Sequence, residues 1–110
     1  MIVAEIAAQL HLSPLALVND QREVKGVYTG DLLSWVMGRA KQNDAWITIM
    51  SNINIIAVAS LADTACIILA EGVVPEQNVI DTANAKGINL LTTELTAYEL
   101  AVKLSELIGR

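Results

Sequence analysis

"AWITIMSNINIIAVASLADTACIILAEG", residues 45–72, changes its hydrophobic period twice, and those changes decide the fold. Residues 45–50 place Trp46, Ile47 and Thr48 in succession, the aromatic and β-branched composition of a buried strand. The polar break at Ser51 and Asn52 is followed by "IIAVASLA", a helical stretch that Asn54 is placed to cap. Asp63 and Thr64 then turn the chain into "ACIILA" (65–70), which is apolar on both faces, lacks Gly and Pro, and reads as an interior strand. Strand, helix and strand in so short a span form a crossover between parallel strands.

The alternation continues in both directions. Downstream, Pro75 stands at a first-turn position, and residues 75–87 carry an acid near the start, Lys86 in the last turn and Gly87 as a left-handed stop. "INLLTT" (88–93) is the last strand. Thr96 and Glu99 form a capping box inside a Leu95–Leu100 staple, opening a helix to about Ile108 that buries Leu100, Ala101, Leu104, Leu107 and Ile108. Upstream, Leu32, Leu33, Val36, Met37 and Ala40 make a helical stripe with Asp31 as its cap. "VKGVYT" (24–29) and "LALV" (15–18) are candidate strands around the loop "NDQRE". Val3, Ile6, Ala7 and Leu10 share one face of a first helix that closes before "HLSP". The expected class is α/β: a three-layer α/β/α single domain over residues 1–110 with a mostly parallel sheet.

Composition bounds the function. Seven basic and twelve acidic residues give a net charge of −5. With the basic residues scattered along the chain, this disfavours nucleic acid and anionic membrane surfaces. The lone Cys66 allows no intrachain disulfide and sits in an apolar strand, as expected of a reducing compartment. No apolar run reaches the ~18 residues that span a bilayer, and the start lacks a basic leader, so the expectation is a cytoplasmic protein. An apolar share of 54% in a chain this short implies that some apolar surface meets another copy or a protein partner. Trp35, Met37 and Trp46 are candidates for that patch, with core packing the equal alternative.

In a parallel sheet, ligands sit beyond the carboxyl ends of the strands, where helix N-termini direct free amides. Ser51, Asn52 and Asn54 arrive there after one strand, Glu71 and Gly72 after the next, and Thr92 and Thr93 after the last. Thr29, Gly30 and Asp31 join them at the start of the second helix. These residues are the candidate ligand-binding set, for a small metabolite or nucleotide. Small polar residues between strand and helix are also what turns and caps require, and that reading stands beside the first. No Gly-Lys occurs, so a phosphate-binding loop of the usual kind is absent, and "GVYTG" (26–30) reads as a tight turn. One His and one Cys offer no metal-ligand spacing and no nucleophile–base pair, and His11 reads as a residue serving the end of the first helix. Neither a cofactor nor a metal is expected. Asp31 and Glu71 are the one carboxylate pair that chemistry would have to use.

"VYTGDLLSWVMGRAKQNDAWITI", "NIIAVASLADTACIIL" and "KGINLLTTELTAYELAVKL" resemble DRTGG domains, over nearly the whole chain. The resemblance implies an α/β regulatory module of the kind attached to phosphotransacetylases and CBS domains. Such modules are similar to the N-terminal domain of HPr kinase/phosphorylase, oligomeric and non-catalytic. The family's Asp-Arg pair aligns with Ser51 and Asn52, and its Thr-Gly-Gly with Ala70, Glu71 and Gly72, so only the last glycine of the motif is present. Loss of the Arg removes a bidentate anion binder. The expected function is therefore a non-catalytic regulatory, ligand-sensing or interaction module acting as a homodimer. A small enzyme acting on a carbonyl or phosphate substrate at the same strand edge is the alternative.

Overall fold

Consecutive residues of the central strands face opposite sides, and both sides are apolar. A computed structural model describes residues 1–110, with the elements α1 (Val3–Gln9), β1 (Ser13–Ala16), β2 (Gly26–Thr29), α2 (Leu33–Arg39), β3 (Asp44–Thr48), α3 (Asn54–Ala62), β4 (Cys66–Leu69), α4 (Gln77–Lys86), β5 (Leu90–Thr92) and α5 (Ala97–Ile108). The five-stranded sheet has the order β1-β5-β4-β3-β2. β2 through β5 are parallel, with Tyr28 beside Trp46, Trp46 beside Ile67 and Ile67 beside Leu90, while β1 runs antiparallel to β5.

Four parallel strands in sequential order send every crossover in the same direction, so their helices fall on one face. Trp46, Ile67, Leu69 and Leu90 meet Val36 of α2, Ile55, Ile56, Val58 and Ala59 of α3, and Val79 and Ala83 of α4 there. The other face is closed by the two end helices: Ala45, Ile47, Cys66, Ile68 and Leu91 pack against Val3 and Ile6 of α1 and Leu100 and Leu104 of α5. Each fully buried Ile or Leu in these layers contributes roughly 1.5–3 kcal/mol relative to exposure. The molecule is a single three-layer α/β/α domain, as the alternation of elements implies.

Several local expectations are corrected. β1 occupies residues 13–16 rather than 15–18. It is an edge strand, so Pro14 is tolerated, and its register slips between Pro14 and Ala16. Residues 26–30 do not form a tight turn; Gly26–Thr29 is strand β2, and a Cβ on Gly26 would lie 2.5 Å from an Asp44 carboxylate oxygen. α2 starts at Leu33 with no side-chain cap, because Asp31 is engaged elsewhere. α3 is served by Asn52, whose Oδ1 accepts the Asn54 amide at 2.9 Å, and not by Asn54. Pro75 lies just before Glu76, the N-cap of α4. His11 follows α1 in the left-handed region, at φ 53°. Gly87 does stop α4 at φ 73°, and the Thr96–Glu99 capping box is present in full.

Candidate functional site

The carboxyl ends of β2, β3, β4 and β5 share one edge, and loops rich in small polar residues cross it. At the first of these, Gly30 is fixed on both sides: its amide donates to the Ile47 carbonyl at 3.1 Å, and its carbonyl accepts from Trp46 Nε1 at 2.9 Å. Asp31 is thereby held against the end of β3, where its Oδ1 accepts from Thr48 Oγ1 at 2.8 Å and from the Ile49 amide at 3.0 Å. Thr29 is exposed at the tip of β2. After β3, Ser51 is half-buried and Asn52 closes its own turn onto α3. Asn54 faces a groove of about 540 Å³ between α3 and α4, lined also by Ile53, Leu61 and Lys86.

Residues Ala70–Val73 make a type I′ turn. Glu71 and Gly72 have φ 62° and 72°, and the Val73 amide donates to the Ala70 carbonyl at 3.2 Å. Two adjacent positive φ values explain why the resemblance expects paired glycines here. Glu71 tolerates the position while its Oε2 accepts the Ala97 amide at 3.3 Å, placing a carboxylate at the N-terminus of α5. A Cβ on Gly72 would lie 2.6 Å from a Glu94 carboxylate oxygen, which the flexible Glu94 side chain can yield, so it is the left-handed backbone that reserves the second position for glycine. Thr92 Oγ1 donates to the Val73 carbonyl at 2.6 Å, and Thr93 Oγ1 accepts the Leu95 amide at 3.2 Å. Glu99 is held below the usual carboxylate range by the Thr96 amide and hydroxyl that it caps.

The edge therefore brings the expected residues together along four adjacent loops, with most of their polar groups engaged in holding those loops. Asp31 and Glu71 do not pair: one is directed to β3 and the other to α5. Thr48 and Glu94 belong to the same edge and were missed by the sequence. Thr48 reads there as one more strand residue, and Glu94 as part of a turn. Asp31, Glu71 and Glu94 make the edge acidic. Arg22, Lys25, Arg39, Lys41, Lys86 and Arg110 all sit towards the opposite end, at strand starts and helix ends. That opposite end carries its own polar cluster. Arg22 bonds Asp63 at 2.7 Å and Asn43 at 2.9 Å, and the guanidinium holds the Asp63 carboxyl below its ordinary value. Cys66 is wholly buried, and burial pushes its thiol up to about 12. No group of three or more His, Cys, Asp or Glu residues is placed to hold a metal ion, and no helix is long and apolar enough to cross a membrane.

A strictly sequential strand order leaves no point between β2 and β5 where crossovers diverge to opposite faces, which is where such sheets open a crevice. Neither surface cavity is centred on this edge: the α3–α4 groove takes in Ile53 and Asn54 from its rim, and a cleft of about 450 Å³ beside β2 takes in Thr29. Of the three large side chains considered for an exposed patch, Trp46 is fully buried, whereas Trp35 and Met37 are 52% and 48% exposed on α2.

No curated protein matches the sequence. Among solved structures, the chain is similar to the CBS and DRTGG domains of the regulatory region of Clostridium perfringens pyrophosphatase, complexed with its activator diadenosine tetraphosphate. The TM-score is 0.74 at 15% identity over 92% of this chain, and the match spans 44% of that one. At that identity the likeness establishes the fold. The DRTGG domain pattern matches residues 5–107, nearly the full length, and the chain belongs to the DRTGG domain family.

Proposed function

We propose that residues 1–110 act as one non-catalytic regulatory module, working as a homodimer and sensing a small metabolite or nucleotide at the strand carboxyl edge. The observation that carries this reading is the state of the edge itself. Asp31 accepts from the Thr48 hydroxyl and the Ile49 amide, Glu71 accepts the Ala97 amide, and the Thr92 and Thr93 hydroxyls bond the Val73 carbonyl and the Leu95 amide, while no His or Cys stands among the edge residues to act as base or nucleophile. Family membership and a structural neighbour drawn from an enzyme's regulatory region support the same role. Trp35, Met37 and Leu32 on or beside α2, with Ile49 and Ile53 at the neighbouring loop ends, are exposed apolar groups suited to self-association.

Ligand contacts in this reading fall to Thr29, Gly30 and Asp31, to Ser51, Asn52 and Asn54, and to Glu71, Gly72, Thr92 and Thr93. With Asp31, Glu71 and Glu94 present, a neutral or cation-paired ligand suits the edge better than a bare polyphosphate. Calorimetric titration with diadenosine tetraphosphate and a mononucleotide panel, with and without Mg²⁺, tests ligand binding, and sedimentation tests assembly. Binding that Ser51→Trp abolishes, in a protein that sediments as a dimer, is the expected result. A monomer that takes up no ligand would refute the proposal.

A further inference from the structure

β2 ends the sheet. It pairs with β3 alone, and its outer side opens onto a cleft. Gly30 donates to Ile47 across the β2–β3 ladder. By the two-residue alternation of a parallel pair, Tyr28 turns its backbone groups to β3 as well, while Val27 and Thr29 direct theirs outward. The cleft of about 450 Å³ lies along this open strand and has all four β2 residues on its floor. One wall is the end of α2 and the loop after it, with Arg39 and Lys41. The other is α5, with Ser105 and Arg110, whose Nη1 donates to the Lys25 carbonyl at 3.2 Å.

Three of the chain's seven cationic side chains thus line one slot in a molecule of net charge −5. The single acid among the lining residues, Asp44, is buried, and its Oδ2 accepts the Lys41 amide at 2.8 Å. We infer that this slot binds an extended acidic peptide segment that adds to the sheet as a strand beside β2, its carboxylates meeting Arg39, Lys41 and Arg110. The strand floor supplies the backbone groups that such an addition needs, and the flanking helices limit its width to one chain. A second copy is disfavoured as the occupant, because antiparallel pairing of two β2 edges would bring two basic clusters together. The same cations that guard the edge against its own kind attract an acidic strand. This inference shares only Thr29 with the ligand edge and rests on the open side of β2 and its flanking cations, so either reading can fail without the other.

The test uses the whole protein and a fluorescein-labelled peptide that alternates Glu with Val and Thr, with a matched peptide carrying Lys in place of Glu. Fluorescence anisotropy at low salt is expected to give a Kd on the order of 100 μM for the acidic peptide and no binding for the basic one. Arg39→Glu with Lys41→Glu is expected to weaken binding at least about tenfold. Both side chains are exposed, so the fold should survive the change. In amide NMR spectra, Val27 and Thr29 should shift on titration. Thr29→Pro, which removes one outward donor at an edge position, should abolish binding while the circular dichroism spectrum is retained. The inference is overturned if the acidic peptide does not bind, if charge reversal leaves its affinity unchanged, or if the amides of Val27 and Thr29 stay in place. It is also overturned if inorganic phosphate displaces the peptide completely while only the Arg39 and Lys41 signals move, since the slot would then be a small-anion site.

Discussion

Replacing Glu71 by Gly and, separately, by Ala separates the two opposing contributions that meet at this residue. At φ 62° a side chain with a Cβ costs roughly 1–2 kcal/mol, which glycine does not incur. Against that, the Glu71 carboxylate at the start of α5 contributes roughly 0.3–1 kcal/mol. Alanine keeps the backbone cost and loses the carboxylate, so Glu71→Ala should destabilise by about 0.5–1 kcal/mol. Glycine loses both, and also loosens the unfolded chain by roughly 0.4–1 kcal/mol, which leaves Glu71→Gly near the parent stability. The expected gap between the two variants is about 1 kcal/mol in favour of glycine, equal to a midpoint difference of roughly 0.5 M in urea. Equilibrium urea unfolding followed by tryptophan fluorescence reads this directly, since Trp46 is fully buried. An alanine variant as stable as the glycine variant would refute the view that residue 71 is held in a left-handed turn at a cost.

The side chain of Asn89 is buried and joins three backbone groups: it accepts from the Asn19 amide at 2.9 Å and donates to the carbonyls of Asn19 at 2.7 Å and Ala65 at 3.0 Å. Asn89→Ala leaves the buried Ala65 carbonyl unpaired while the groups of the exposed Asn19 can turn to water, and should cost on the order of 2 kcal/mol in chemical unfolding, whereas a loss under about 1 kcal/mol would show that the Ala65 carbonyl finds another partner. Asp63 has a lowered folded pKa, so its stabilising effect is present above its ordinary value of 3.8 and is lost as pH falls through the folded value. The stability difference between the parent and Asp63→Asn should therefore shrink between about pH 6 and about pH 3. It should be no more than about 0.5 kcal/mol at the start, because the pair is solvent-screened, and a difference that grows on acidification would contradict the sign.

Most of the fold is legible in the sequence because its signals are local. The α5 capping box needs only Thr96 and Glu99 three residues apart, and β4 announces itself by being apolar on both faces. Cap identities at α2 and α3 were misplaced for a non-local reason: whether Asp31 serves its own helix or the end of β3 depends on where Thr48 and the Ile49 amide fall in the neighbouring loop. The limits of β1 were displaced by two residues because Pro14 argues against a strand except at an edge, and edge position is a property of the assembled sheet. The polar strand edge was legible as a set of turns, since crossover geometry alone brings those loops together. The basic slot was not, because Arg39 and Lys41 meet Arg110 only once β2 lies between α2 and α5. In sequence, those residues look like scattered surface charge.

The position of β1 has a kinetic consequence. Each parallel pair joins strands separated by one helix, so β2 to β5 can assemble by successive short closures. The antiparallel β1 and the Asn19–Asn89 clamp beside it join segments 70 to 79 residues apart. Closing that loop costs roughly 1 kcal/mol more in chain entropy than closing one about a third as long, before any contact repays it. Chain entropy thus favours an order of assembly in which the parallel core forms first and the amino-terminal strand joins afterwards, and hydrogen exchange at β1 faster than at β3 and β4 is the expected sign of it.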